Sequence, residues 1–195
     1  MRRRTFDILM STGGIVITLA LVVAGVMAFV GYSFANDNVT KQLSEQKISF
    51  PAKGAESLKD SRIGPYLSKY AGQQLTNGAQ AQAYADHFIA VHLREIGGGL
   101  TYSQLSAKAL ADPNNTELAG QVATVFKGET LRGLLLNAYG FWKMGQIVWI
   151  GAIVSFAGAA LLLILSLFGV WHLRRAPETA EVFPKASHDA KVRTA

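Results

Sequence analysis

The chain contains no cysteine. That excludes disulfides, a thiol nucleophile, CxxC redox chemistry and cysteine-held zinc or iron–sulfur clusters. It leaves the compartment open, because an extracytoplasmic domain can do without disulfides. Charge is scarce too. Only 16% of the 195 residues are Asp, Glu, Lys or Arg, while half are hydrophobic. The mean hydropathy of +0.22 is high for a water-soluble domain. No GxSxG nucleophile elbow is present. Gly97-Gly98-Gly99 lacks the following Lys-Ser/Thr of a phosphate loop and reads as a turn.

The missing charge is concentrated in two places. No charged residue occurs from Ile8 to Asn36, a run of 29, or from Met144 to Leu173, a run of 30. A bilayer core of about 30 Å needs roughly 20 apolar helical residues. The expected fold is therefore an all-α membrane protein. Transmembrane helices over 8–35 and 144–173 flank an extracytoplasmic helical-bundle domain over 36–143. A basic N-terminus occupies 1–7, and a disordered tail of mixed charge and proline occupies 174–195.

Orientation follows from the flanks. Arg2, Arg3 and Arg4 precede the first run, and Arg174 and Arg175 follow the second. Cations close to a span favour the cytoplasmic side, and long loops translocate largely regardless of charge. Both termini are expected in the cytoplasm of a plasma-membrane protein. A cleaved signal peptide ending near Ser33-Phe34-Ala35 is the rival reading of the N-terminus; its apolar region is long for that role. Tyr32, Trp142, Trp149 and Trp171 are expected to anchor the spans at the headgroups.

Each span carries small residues four apart: Ala20, Ala24 and Ala28 in the first, Gly151, Ser155 and Ala159 in the second. Such rows let helix backbones approach closely in lipid. They are expected to pack the two spans together, or to form a dimer. The spans hold no Asp, Glu, Lys or Arg, which argues against a pump or channel.

The central region lacks long period-two alternation and reads as helical. Asn36, Asp37 and Asn38 suggest a cap for a helix over Val39–Lys47. Ile48–Pro51 is expected to be extended. Ile63–Ala71 suggests a short helix ended by Gly72, and Thr76 a cap for a helix over Gly78–Ile96. Thr101–Ala111 is again helical. Asp112-Pro113 suggests the start of a helix over Asn114–Lys127, with a kink or break at Gly128.

Several segments resemble an uncharacterised two-span actinobacterial membrane protein family. They are Met1–Asp7, Gly31–Asn36, Ile63–Leu67, Lys69–Leu75, Tyr84–Leu93 and Leu131–Tyr139. The resemblance covers nearly the whole chain except the tail. It implies the two-span topology and no catalytic residues. Some members carry an aromatic-ring-opening dioxygenase label. Such enzymes generally hold iron with two histidines and a carboxylate. His87 and His92, the two histidines of the central region, would sit about 140° apart on one helix, so the residues do not support that label.

Four residues remain as possible partner or ligand contacts. On the Gly78–Ile96 wheel, Ala81, Ala85, Phe88 and Ile96 form an apolar face. His92 lies within it and Glu95 at its edge, a spacing at which the two side chains can interact. They read either as a His–Glu sensing pair or as an amphipathic histidine at a bundle end. Asp86 and His87 fall off that face, toward solvent. Glu129 and Arg132 continue the Leu118, Val122, Val125 stripe. They read either as charges exposed by a kink at Gly128 or as a docking patch.

No catalytic, metal or cofactor residue is expected. The functional expectation is a non-enzymatic membrane protein: an accessory, assembly or scaffold subunit of a cell-envelope complex. The alternative is an extracytoplasmic lipid- or small-molecule-binding sensory module, which a sizeable apolar cavity would favour and a solid core would disfavour. Expected partners are membrane lipids, through anionic headgroups, and a membrane protein or a second copy of the chain. Nucleic acid is not expected.

Overall fold

The computed structural model describes residues 3–175. The tail expected over 174–195 falls outside the described residues apart from Arg174 and Arg175, as does Arg2. Among the described residues the chain is helical and has no strand. Two long helices dominate: α1, Arg3–Glu45, and α6, Thr116–Leu173. Both are long and apolar enough to cross a membrane. The chain divides into two compact units. Among the described residues, one holds those up to Phe29 and those from Trp149 on, the other Val30–Val148.

In the first unit, segments of α1 and α6 run antiparallel. Ser11 meets Gly169, Gly14 meets Ser166, Leu21 meets Gly158 and Phe156 covers Gly25. The residues turned inward on α1 are Ser11, Thr18 and Gly25, seven apart, alternating with half-buried Gly14, Leu21 and Ala28. On α6 they are Ala152, Ala159 and Ser166, alternating with Ser155, Leu162 and Gly169. A seven-residue repeat keeps one seam facing its partner in a left-handed pair. The seam is small and polar, while Ile, Leu, Val and Phe point outward, as with Val16, Leu19, Val23 and Leu161 at 59–61% exposure.

The expected packing rows meet this seam only in part. Ala20 and Ala24 are exposed, and Gly151 has nothing within 4 Å of where a Cβ would stand. Only Ala28, Ser155 and Ala159 reach the seam. The reason is geometric. A row with four-residue spacing rotates by about 40° per step, so it crosses a heptad seam rather than following it.

The second unit has a conventional core. Val39 and Leu43 of α1 pack with Phe50, Ile63, Leu67, Leu75, Ala81, Ala85, Ile89, Leu93 and Leu135. Leu67, Leu75, Ala81 and Ala85 have no exposed surface. No helix starts at Asn36–Asn38; α1 runs through them, because Val39 and Leu43 continue its buried face. Residues 48–50 are extended, as expected, and lie against 73–75: Phe50 N–H donates to the Gln73 carbonyl at 2.9 Å and Leu75 N–H to the Ile48 carbonyl at 2.8 Å. A short 3-10 turn, Glu56–Lys59, precedes α2, Gly64–Leu67. Gly72 closes the segment at φ +72°.

Helix α5, Tyr102–Ala111, starts with a capping box in which Thr101 accepts from Gln104 N–H. It buries Leu105. The cap of α6 is Asn115, whose side chain accepts from Leu118 N–H at 3.0 Å, rather than Asp112. There is no break at Gly128. A Cβ there would overlap the Leu93 side chain, so this glycine serves close packing within an uninterrupted helix.

Candidate functional site

The residues singled out in the central region converge on one irregular helix. Asn77, not Thr76, caps it: Gln80 N–H donates to the Asn77 side chain, and the Gln80 side chain returns to the Asn77 backbone. The helix begins as α3, Gly78–Tyr84, passes through a π-helical turn, Ala85–Ile89, and continues as α4, Ala90–Ile96. A π turn adds one residue to the helical cycle and is often associated with functional sites.

The extra residue shifts the buried face. Ala81 and Ala85 are buried as the α-helical wheel predicts, but the face then passes to Ile89, Leu93 and Gly97. Phe88 and His92 move to its half-buried edge, and Ile96 is 39% exposed. The expectation that Phe88, His92 and Ile96 share the core face fails for this reason.

His92 is held locally. Its Nδ1 lies 2.7 Å from the Phe88 carbonyl. A carbonyl only accepts, so Nδ1 donates, and in the neutral ring Nε2 is left as an acceptor. Glu95 does not pair with His92. It meets Arg62, which also binds Asp60. Arg62 donates to the Asp60 carboxylate from its side chain and backbone and holds the Asp60 pKa down at about 2; the same bonds raise that of Arg62. His92, Glu95, Asp60, Glu56 and Lys59 border one open cleft of about 430 Å³.

The π turn also redirects Asp86 and His87, neither of which points freely to solvent. Asp86 accepts from Arg132 at 3.2 Å. His87 stacks on Tyr66, with ring centres 3.4 Å apart and planes 1° from parallel. Arg132 donates in addition to Glu129 at 3.3 Å, so the two charges named from sequence do meet. Its Nε is buried and has no partner among the described residues. Arg132, Glu129 and Arg94 border a second cleft of about 170 Å³, beside the Gly99–Thr101 turn. Asp86 is the member that sequence reasoning missed.

Tyr84, flanked by Phe50 at 5.4 Å and Phe88 at 4.8 Å, is buried enough to push its phenol pKa up. Among the described residues, no three His, Cys, Asp or Glu side chains are grouped to hold a metal. The expected anchors divide. Trp171 is exposed, with Arg175 over its ring at 4.2 Å, and Trp149 lies 5.7 Å from Phe29. Tyr32 is half-buried beside Gly145. Trp142 is a packing residue of the second unit, against its core and over Gly78. No protein-family model, no curated protein and no solved structure matches this chain.

Proposed function

We propose that the chain is a non-enzymatic two-span protein of the plasma membrane. Both termini lie in the cytoplasm, and the unit Val30–Val148 is held outside as a docking module for a membrane protein of the cell envelope. It serves there as an accessory, assembly or scaffold subunit. The observation that carries the membrane reading is the inverted first unit: small and polar residues inside, large aliphatic ones outside. Water disfavours that surface, and lipid solvates it. The docking surface is the Arg94, Glu129 and Arg132 cleft, where charge is set by side chains from two helices, α4 and α6. Paired charges of this kind favour specificity over raw affinity.

The test is in-cell cross-linking of the tagged full-length protein, mild-detergent purification and mass spectrometry. The reading expects one stoichiometric membrane protein whose recovery falls at least tenfold in Arg94→Glu and Glu129→Lys. Recovery of the chain without any stoichiometric protein overturns it, as does recovery that the two substitutions leave unchanged.

A further inference from the structure

A groove on the second unit is unlike its other clefts. It runs between the end of α1 and the middle of α6 and has a volume of about 390 Å³. Val39, Leu43 and Leu135 form its floor at 3–4% exposure, while Leu134 and Phe141 stand proud beside it at 63% and 42%. A hole and the knobs to fill it thus share one face. On α6 this face is opposite that of Glu129 and Arg132, about half a turn away.

The groove has no ionised residue along it. Its polar rim consists of four amides, Asn38, Gln42, Gln46 and Asn137. The two clefts of this unit described above each carry Lys or Arg with Glu. This difference bears on who can dock. An interface between two copies sets the same patch against itself, so a charged side chain near the two-fold axis meets a like charge. A neutral amide rim avoids that cost. An amide also both donates and accepts, so it can meet its own image without mismatch. Gln42 already donates to the Asn38 oxygen at 2.9 Å. That leaves an acceptor on Gln42 and donors on Asn38.

We propose that this groove is the interface between two copies of the chain, related by a two-fold axis. Such an interface must be self-complementary, with residue i of one copy meeting j of the other and j meeting i. A knob and a hole side by side on a neutral face meet that requirement. Leu134 and Phe141 of each copy enter the groove of the other. Under the two-span reading, both copies insert in the same sense, so the axis is normal to the membrane. Equivalent residues near the axis then face each other, and Leu134 lies close to its counterpart.

The cysteine-free chain makes the test direct. Leu134→Cys is compared with Leu110→Cys, a more exposed leucine on α5 at 81% exposure, in full-length protein in native membranes under mild oxidation. A disulfide forms only where Cα atoms come within about 7 Å. The proposal expects a disulfide-linked dimer from Leu134→Cys, at least fivefold above Leu110→Cys. It also expects light scattering of the wild-type protein in mild detergent to give two copies and Leu134→Arg to give one. Equal yields from the two cysteines overturn it. So does a wild-type monomer, whether a lipid chain or another protein fills the groove. Carbonate washing of the same membranes is read separately: release of the chain contradicts the two-span reading, while the copy number still judges the interface.

Discussion

Ser166 of α6 occupies the space that a Cβ on Gly14 of α1 would need. The relationship is reciprocal, because Ser11 occupies the corresponding space at Gly169. Each helix therefore carries serine and, three residues on, glycine, and the antiparallel order sets each serine over the opposite glycine. Thr18 hides its hydroxyl by donating to the Gly14 carbonyl at 2.8 Å.

A side chain at Gly14 must displace the Ser166 hydroxyl, and a large one crowds the seam. Gly14→Leu is expected to cost about 1–3 kcal/mol, the usual range for overpacking. Gly13→Leu, with nothing within 4 Å, is expected to stay within about 0.5 kcal/mol. Thermal unfolding of both variants in mild detergent measures the difference.

The Ser11 hydroxyl is buried without a partner. A buried polar group left unpaired carries a desolvation penalty of about 1–3 kcal/mol. Ser11→Ala is therefore expected to be neutral or to raise the unfolding temperature, the reverse of the usual effect of a core substitution.

The π turn makes a prediction that a regular helix does not. Leu93 is buried and Ile96 exposed. Leu93→Ala is expected to cost about 2–5 kcal/mol, and Ile96→Ala much less. In a regular α-helix carrying the face Ala81, Ala85, Phe88 and His92, the order would reverse. Denaturant titration of the two variants decides between the registers.

Arg62 depresses the Asp60 pKa to about 2 from its ordinary 3.8. The folded pKa is the lower one, so the contribution to stability is present above the unfolded value and is lost as pH falls from about 4 through 2. Arg62→Gln is expected to return Asp60 toward 3.8 and to flatten stability in that window. Carboxyl NMR titration of Asp60 reads the shift. Both groups are open to solvent, so the effect on stability is small.

The two long apolar helices were legible because each is marked by a charge-free run of 29 or 30 residues. Helical character in between was legible too, as were the extended segment at Ile48–Phe50 and the glycine turn after Ile96. The seam between the long helices was not. It is made of small residues seven apart, and alanine and glycine rows at other spacings compete with it. Gly128 suggested a break because glycine weakens an isolated helix, whereas its contact with Leu93 depends on another element. Asn36–Asn38 suggested a cap because local chemistry cannot reveal that Val39 and Leu43 extend the same buried face. The π turn has no simple sequence mark. One inserted residue displaced the expectation for Phe88, His92 and Ile96, while the link from Asp86 to Arg132 joins residues 46 apart, which local spacing does not show.

The central claim is that two spans hold Val30–Val148 outside the cell. Single cysteines at Lys53, exposed in the second unit, and at Arg175, beyond the second run, test it in intact cells with a membrane-impermeant maleimide. The account predicts labelling of Lys53→Cys in intact cells and of Arg175→Cys only after the membrane is opened. Labelling of both, of neither, or in the opposite order before opening would contradict it.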